Sequence, residues 1–309
     1  MIKTARQLKA LVQNRTKGDS GKAQLLIRNF MMERFLERVS LSKYKDNFIL
    51  KGGMLVSSMV GLDNRATMDI DTTLKNLSLN SENAREIVEN IIAVSVEDNV
   101  HFQIKSISAI MEDAEYEGVR LALEAQLETM RIPMKIDLST GDVITPSEIR
   151  YQYRLMFEDR SISVWAYTLE TVLAEKMETI LVRGLLNTRL RDYYDLYILQ
   201  ICGPQIDRKV LSEAVRATCR KRGSDPVLSE YSRILKELKE SSTMQELWLN
   251  YQRKNSYAAG ISWKEVLQSV PVSVQHVWKN RNSSILISAP SPPHRPRHFL
   301  QPRIRIGKE

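Results

Sequence analysis

Two aspartates separated by one apolar residue, Asp69 and Asp71, sit fifteen residues after a glycine pair, Gly52-Gly53, in "FILKGGMLVSSMVGLDNRATMDIDTTLKN". The run Ala66 to Lys75 alternates and is rich in β-branched residues, so it predicts a strand. On a strand the two carboxylates project from one face, about 6.5–7 Å apart along the chain. Like charges at that spacing repel unless a cation joins them, and oxygen ligands suit magnesium, or equally manganese. Paired carboxylates can clamp metal ions about 3.5–4 Å apart for displacement at phosphorus. A third carboxylate on a neighbouring strand is wanted to draw the proton from an attacking hydroxyl, and Asp137 in "MKIDLS" is the best candidate. The bland alternative is a strand whose polar face happens to be acidic. The glycine pair tips the balance. Between a strand and a helix it exposes backbone N–H groups at a helix start, where an anion can settle, and glycine lets phosphates come close.

A second group lies in "LAEKMETILVRGLLNTRLRDYYDLYIL", Leu173 to Leu199. Lys176 and Arg183 are seven apart and share a helical face, Gly184 ends that helix, and Asp192 and Asp195 are three apart on the next. The spacing fits either a phosphate grip by Lys176 with an acidic partner, or ion pairs holding a helical hairpin. "KGDSGKAQ" looks like a phosphate loop but lacks the four-residue gap and the hydroxyl after its lysine, so it reads as a loop between helices.

The elements that must position these residues follow from periodicity. Helices are expected over 2–14 and 20–39, a strand over 46–50, and a buried helix over 54–60. A helix capped by Ser81 should follow the acidic strand. In that strand Met68, Ile70 and Thr72 should point to the core. Three strands are expected between 99 and 138 and another over 161–167, with "GDVITP" as a turn. From 169 to 278 the sequence is almost wholly helical, in segments 169–183, 189–202, 207–221, 226–240, 243–258 and 262–277. The expected organisation is α+β: a domain over 1–165 with a mixed sheet, a helical domain over 166–280, and a basic, proline-rich tail over 281–309 that reads as disordered.

Of the 309 residues 43% are hydrophobic, enough for a packed core, and no run is long and apolar enough to span a membrane. The first residues lack the apolar stretch of a signal peptide, and Cys202 and Cys219 have no paired spacing, which predicts a reducing cytoplasm. Five units of the net charge of +8 fall in the tail, so basicity points only weakly to RNA. "RKRGSD" (Arg220, Lys221, Arg222) and "YQRKNSY" (Tyr251, Tyr257) mix cations with aromatics that could stack on bases. Solvated helix ends with half-buried tyrosines explain them as well.

Taken together, "ERFLERVSLSKYKDNFILKGGMLV", "RATMDIDTTLKN", "KIDLSTGDVITP" and the Leu173–Leu199 stretch, in this order, resemble the AbiEii/AbiGii nucleotidyltransferase toxins of the polymerase-β-like nucleotidyltransferase superfamily. The resemblance implies a nucleotidyltransferase domain followed by helices. It implies a nucleoside triphosphate bound at Gly52 and Gly53, in a turn that is glycine-serine in many relatives, with Arg65 and Thr67 near the triphosphate. It also implies metal at Asp69 and Asp71, with Asp137 as a less secure third ligand, and Lys176, Asp192 and Asp195 as the catalytic lysine and its D-x-x-D motif. The expected function is a toxin of a toxin–antitoxin or phage-abortive-infection pair that transfers a nucleotide from a triphosphate to RNA, such as the 3′ end of a transfer RNA. Its partner would be an AbiEi-like antitoxin. Two other readings use the same residues: adenylylation of a small molecule, as by antibiotic-modifying nucleotidyltransferases, and a nucleotide-binding module without turnover.

Overall fold

The computed structural model describes residues 1–110 and 118–278. The expected tail over 281–309 lies outside the described residues. The chain opens with a helical hairpin, α1 (Ala5–Thr16) and α2 (Ser20–Leu41). Thr4 and Gln7 close a capping box on α1, and Asp19 caps α2 through the Lys22 amide, so "KGDSGKAQ" is a helix-to-helix turn. Strand β1 (Phe48–Lys51) runs directly into α3 (Gly52–Val60), and β2 (Asp69–Leu74) leads to α4 (Ser81–Ile92). Then come β3 (Val100–Ile110), β4 (Gly118–Leu127), β5 (Met130–Thr140), β6 (Ile149–Arg154) and β7 (Ser161–Ala166). The helical remainder is α5 (Leu169–Arg183), α6 (Leu190–Cys202), α7 (Arg208–Arg222), α8 (Val227–Glu240), α9 (Ser242–Lys254) and α10 (Trp263–Trp278).

The seven strands form one mixed sheet in the order β3-β4-β5-β2-β1-β7-β6. β1 and β2 are antiparallel neighbours at its centre, and each has a parallel partner on its other side, β7 and β5 respectively. β4 alternates along its whole length between buried and half-buried positions, the pattern of a strand with one face on the core. Helix α2 packs against β5 and β7 and buries Phe30, Met31, Met32, Phe35 and Leu36. It also buries charge. Arg38 donates from Nη1 and Nη2 to the two oxygens of Asp98, both at 2.8 Å, and from Nη2 to the carbonyl of Val100 at 2.8 Å. That pair ties α2 to the start of β3.

The structure departs from the expected elements at three points. Asn80, not Ser81, caps α4, accepting from the Asn83 amide at 2.8 Å. Met68 does not face the core: β2 starts one residue later, and Met68 is 50% exposed, whereas Ile70 and Thr72 are buried. Strand β6, "IRYQYR", was not anticipated. It lies at the sheet edge, where mostly polar residues need only one neighbour, β7.

Asp98→Ala leaves the buried Arg38 guanidinium without its counter-charge. The expected cost is about 3–5 kcal/mol of unfolding free energy, read from the shift in urea midpoint.

Candidate active site

The central strands bring four charged residues into one row. In register, Lys51 on β1 stands opposite Asp71 on β2, Asp71 opposite Asp137 on β5, and Asp137 opposite Arg120 on β4. Residues paired across strands point to the same face, so the sheet carries cation, carboxylate, carboxylate, cation side by side. Two residues along, Asp69 pairs with Lys135, and two residues the other way Thr73 pairs with Ser139. Ile70, Ile136 and Leu138 face the opposite side and are fully buried. Asp69 and Asp71 thus share a face as their spacing predicts, and Asp137 stands beside Asp71 on the neighbouring strand.

The glycine turn is fitted to this row. Gly52 has φ +65, and a Cβ there would lie 2.1 Å from Asp71 Oδ2. Only glycine lets the β1–α3 turn pass over that carboxylate. The Gly53 amide donates to Asp71 Oδ2 at 3.3 Å, so the helix start that could hold a phosphate already meets an anion. A Cβ on Gly53 would lie 2.6 Å from Thr67 Oγ1 and 3.2 Å from Arg65 Nη2. A serine at this position has no room in this packing.

Asp71 is in a costly place. Burial, and then the charges of Asp137 and Asp69, push its carboxyl above the usual range; the Gly53 amide and Lys51 pull only partly the other way. Lys51 is itself committed. Its ammonium donates to Ser139 Oγ at 2.8 Å and pairs with Asp142. Asp142 Oδ2 also accepts from Tyr167 at 2.7 Å, from Ser139 at 2.9 Å and from Thr73. Burial works to raise the Asp142 carboxyl, but Lys51 and these hydrogen bonds hold it below the ordinary value. Asp142 stands at the start of "GDVITP", which reads in sequence as a turn. Its neighbours come from three strands and a loop, so nothing local signals its role.

The helical part supplies a second charged chain. Lys176 Nζ on α5 donates to Asp192 Oδ1 at 2.8 Å and Asp195 Oδ2 at 2.7 Å, both on α6. Burial favours the neutral amine, but the two carboxylates outweigh it and hold the proton well above the ordinary lysine range. Lys176 is therefore a fixed cation, not a base. Asp195 is fully buried and accepts from Arg65 Nε at 2.6 Å and Nη2 at 3.2 Å. Burial pushes the Asp195 carboxyl up, yet Arg65 and Lys176 bring it down to about 2.

One cavity of about 280 Å³ gathers Gly52, Asp71, Arg120, Asp137, Lys176 and Asp192. Asp195 pairs with Lys176, and Asp69 stands two residues before Asp71 on the same face of β2. Two expected phosphate contacts need correction. Arg65 is 1% exposed and spends its donors on Asp195 and the carbonyl of Ala66. Thr67 is buried beside Gly53 and opens instead towards a separate cavity with Arg15, Lys22 and Tyr257. Both residues brace the glycine turn from behind. Arg222 is paired with Glu178 and Glu175. The Tyr251 and Tyr257 hydroxyls lie 3.0 Å apart within a cluster that includes Tyr194 and Trp248. Both tyrosines are therefore packing residues.

The sequence profile described as nucleotidyl transferase AbiEii toxin, type IV toxin–antitoxin system, matches residues 34–269. This chain belongs to the AbiEii toxin family. It is accordingly a nucleotidyltransferase toxin of a toxin–antitoxin system, with an antitoxin as its counterpart. MenT4, a nucleotidyltransferase toxin from Mycobacterium tuberculosis, has a similar fold: TM-score 0.53 at 14% identity, covering 87% of this chain and 98% of that one. JHP933 from Helicobacter pylori gives a TM-score of 0.48 at 15% identity, covering 83% and 93%. No curated protein matches the sequence. In this AbiEii-family chain the matched span runs from within α2 into α10, so it takes in both the charged row and Lys176.

Gly52→Ala forces Asp71 aside. Nucleotidyl transfer should fall by about 10²-fold or more in a single-turnover assay. Asp195→Asn leaves the buried Arg65 guanidinium without its counter-charge, while Lys176 keeps Asp192, and should cost about 3–5 kcal/mol in denaturant unfolding. The folded carboxyl at about 2 lies below its ordinary 3.8. The wild-type advantage is therefore full above the ordinary value and fades as pH falls towards 2, a trend that unfolding curves at several acid pH values will follow.

Proposed function

We propose that the chain is a magnesium-dependent toxin that transfers a nucleoside monophosphate from a nucleoside triphosphate to an RNA acceptor, with the 3′ end of transfer RNA the first acceptor to test. The observation that carries this reading is the convergence of a glycine turn, two in-register carboxylates and a permanently charged lysine on one cavity. Its counterpart would be an AbiEi-like antitoxin. Its place of action would be the cytoplasm; no helix among the described residues is long and apolar enough to cross a membrane.

The residues fit a hard divalent cation. Among the described residues no three acidic, histidine or cysteine side chains form a ready-made cage. Magnesium needs none: it is commonly held by one or two carboxylates, with waters and substrate phosphates completing the shell. Asp69 and Asp71 would hold it with Asp137 beside them, and the carboxyl of Asp71, buried beside two other acids, gains from a nearby cation. Bound there, magnesium or manganese would neutralise the triphosphate and stabilise charge at the reacting phosphorus.

The chain's own groups do the rest. Gly52 and Gly53 let the triphosphate approach the backbone. Lys176, oriented by Asp192 and by the Arg65-anchored Asp195, offers a fixed positive charge to the phosphates. The acceptor hydroxyl oxygen attacks the α-phosphorus, the bond to the bridging β-phosphate oxygen breaks, and pyrophosphate departs with that electron pair. The hydroxyl proton passes to Asp137. In this reading residues 1–165 form the nucleotidyltransferase domain. Residues 166–280 form a helical domain that delivers Lys176 and presents the acceptor or antitoxin surface.

Two measurements test it. Purified protein given each α-labelled triphosphate, total RNA and magnesium should move label into RNA. Label in a small-molecule fraction instead would favour the antibiotic-type reading, and triphosphate binding with no transfer would favour a non-catalytic module. Expressed without its antitoxin, the wild type should arrest growth and Asp69→Ala should not, with transfer reduced by about 10²–10³-fold. A fully toxic Asp69→Ala would remove the catalytic reading.

A further inference from the structure

The two cations that end the charged row are not equivalent. Lys51 is buried, anchored on Asp142 and Ser139, with its ammonium 5.6 Å from the centre of the Tyr167 ring. It cannot leave without unmaking the junction of β1, β2, β5 and β7. Arg120 is different. Its side chain is 43% exposed at the cavity edge, and it gives Nε to Asp137 Oδ1 at 2.8 Å and Nη2 to Asp137 Oδ2 at 2.6 Å. Asp71, the register partner of Asp137, and Asp69 stand on the same sheet face one strand further on. One movable cation therefore faces all three carboxylates expected to hold metal.

A structural reading of the pair explains little. β4 and β5 are in register over nine further residue pairs without its help. An ion pair this open to water adds little to stability. Its position is more telling. The guanidinium engages both oxygens of the only row carboxylate it pairs with, and a divalent cation on that carboxylate would stand against a unit positive charge at contact distance.

We propose that Arg120 is the resident counter-cation of the acidic row, neutralising Asp137 in the metal-free protein and competing with the divalent cation for that carboxylate. The inference rests on the metal-binding reading above and adds a residue to it that neither composition nor motif singles out. Arg120 lets three carboxylates coexist without metal, and it lowers affinity for free metal until the guanidinium moves away. It is a positioning residue, acting through Asp137.

The test is manganese binding alone, read by the loss of free-ion EPR signal as manganese is titrated into full-length protein without nucleotide. Arg120→Gln removes the competitor and should bind manganese about fivefold more tightly than wild type. Arg120→Lys keeps the charge, so its affinity should stay within about twofold of wild type, and it serves as a second variant should Arg120→Gln fail to fold. The gain should vanish when Asp137→Asn is added. Asp71→Asn reports on the metal site itself. Binding that Asp71→Asn abolishes, but that Arg120→Gln leaves unchanged or weakens, would overturn the role of Arg120 and leave the metal site standing. Binding that is absent, or insensitive to Asp71→Asn, would overturn both.

Discussion

The fold holds two carboxylates where they repel. Asp71 and Asp137 are register partners on adjacent parallel strands, so both side chains leave the same face of the sheet side by side. Much else around the cavity follows from keeping that arrangement intact. Lys51 and Arg120 flank the pair with positive charge. The Gly53 amide donates to Asp71, and Gly52 has no side chain because the Asp71 carboxylate fills that space. A protein selected for stability alone would replace one of these acids by an apolar or amide side chain. Keeping both retains an electrostatic cost, a common sign of a working site.

A second constraint joins the sheet to the helices. Asp195 is shared by Arg65, which braces the glycine turn, and Lys176, which faces the cavity. The chain from Asp192 through Lys176 and Asp195 to Arg65 thus fixes the lysine relative to the turn through charge-assisted hydrogen bonds at 2.6–3.2 Å. Movement of the helical part would carry Lys176 away from Asp71 only by breaking buried ion pairs, which is expensive. The two expected parts of the chain therefore behave at this point as one site. Of the two open readings of the Lys176 group, phosphate grip or ion-paired hairpin, the geometry supplies the second and leaves the first compatible with it.

Several features were legible before the fold. The alternation in "DIDTTL" put Asp69 and Asp71 on one face, and "LKGG" marked the strand-to-helix turn. Almost every helix after residue 168 lies within a few residues of its periodic pattern, because amphipathic spacing survives in sequence. Where the structure departs, the cause is an element boundary or a distant partner. Ser81 and Asn80 are both good caps, and side-chain type does not say which residue leaves the helix first. Met68 is apolar but precedes the first ladder pair, so its exposure depends on where β2 begins. Arg65 and Thr67 look like phosphate contacts because they precede the acidic pair. Arg65 is buried on Asp195, 130 residues away, and Thr67 packs beside Gly53.

Sequence by itself determined the local elements, the shared face of Asp69 and Asp71, and the kinship with AbiEii toxins. These rest on short-range spacing and on motif order, which a linear chain displays. Only the tertiary structure decided which cation answers which carboxylate: Arg120 for Asp137, Lys51 for Asp142, Arg65 and Lys176 for Asp195. Those pairings depend on cross-strand register and on helix-to-sheet packing, and residue type and local spacing encode neither.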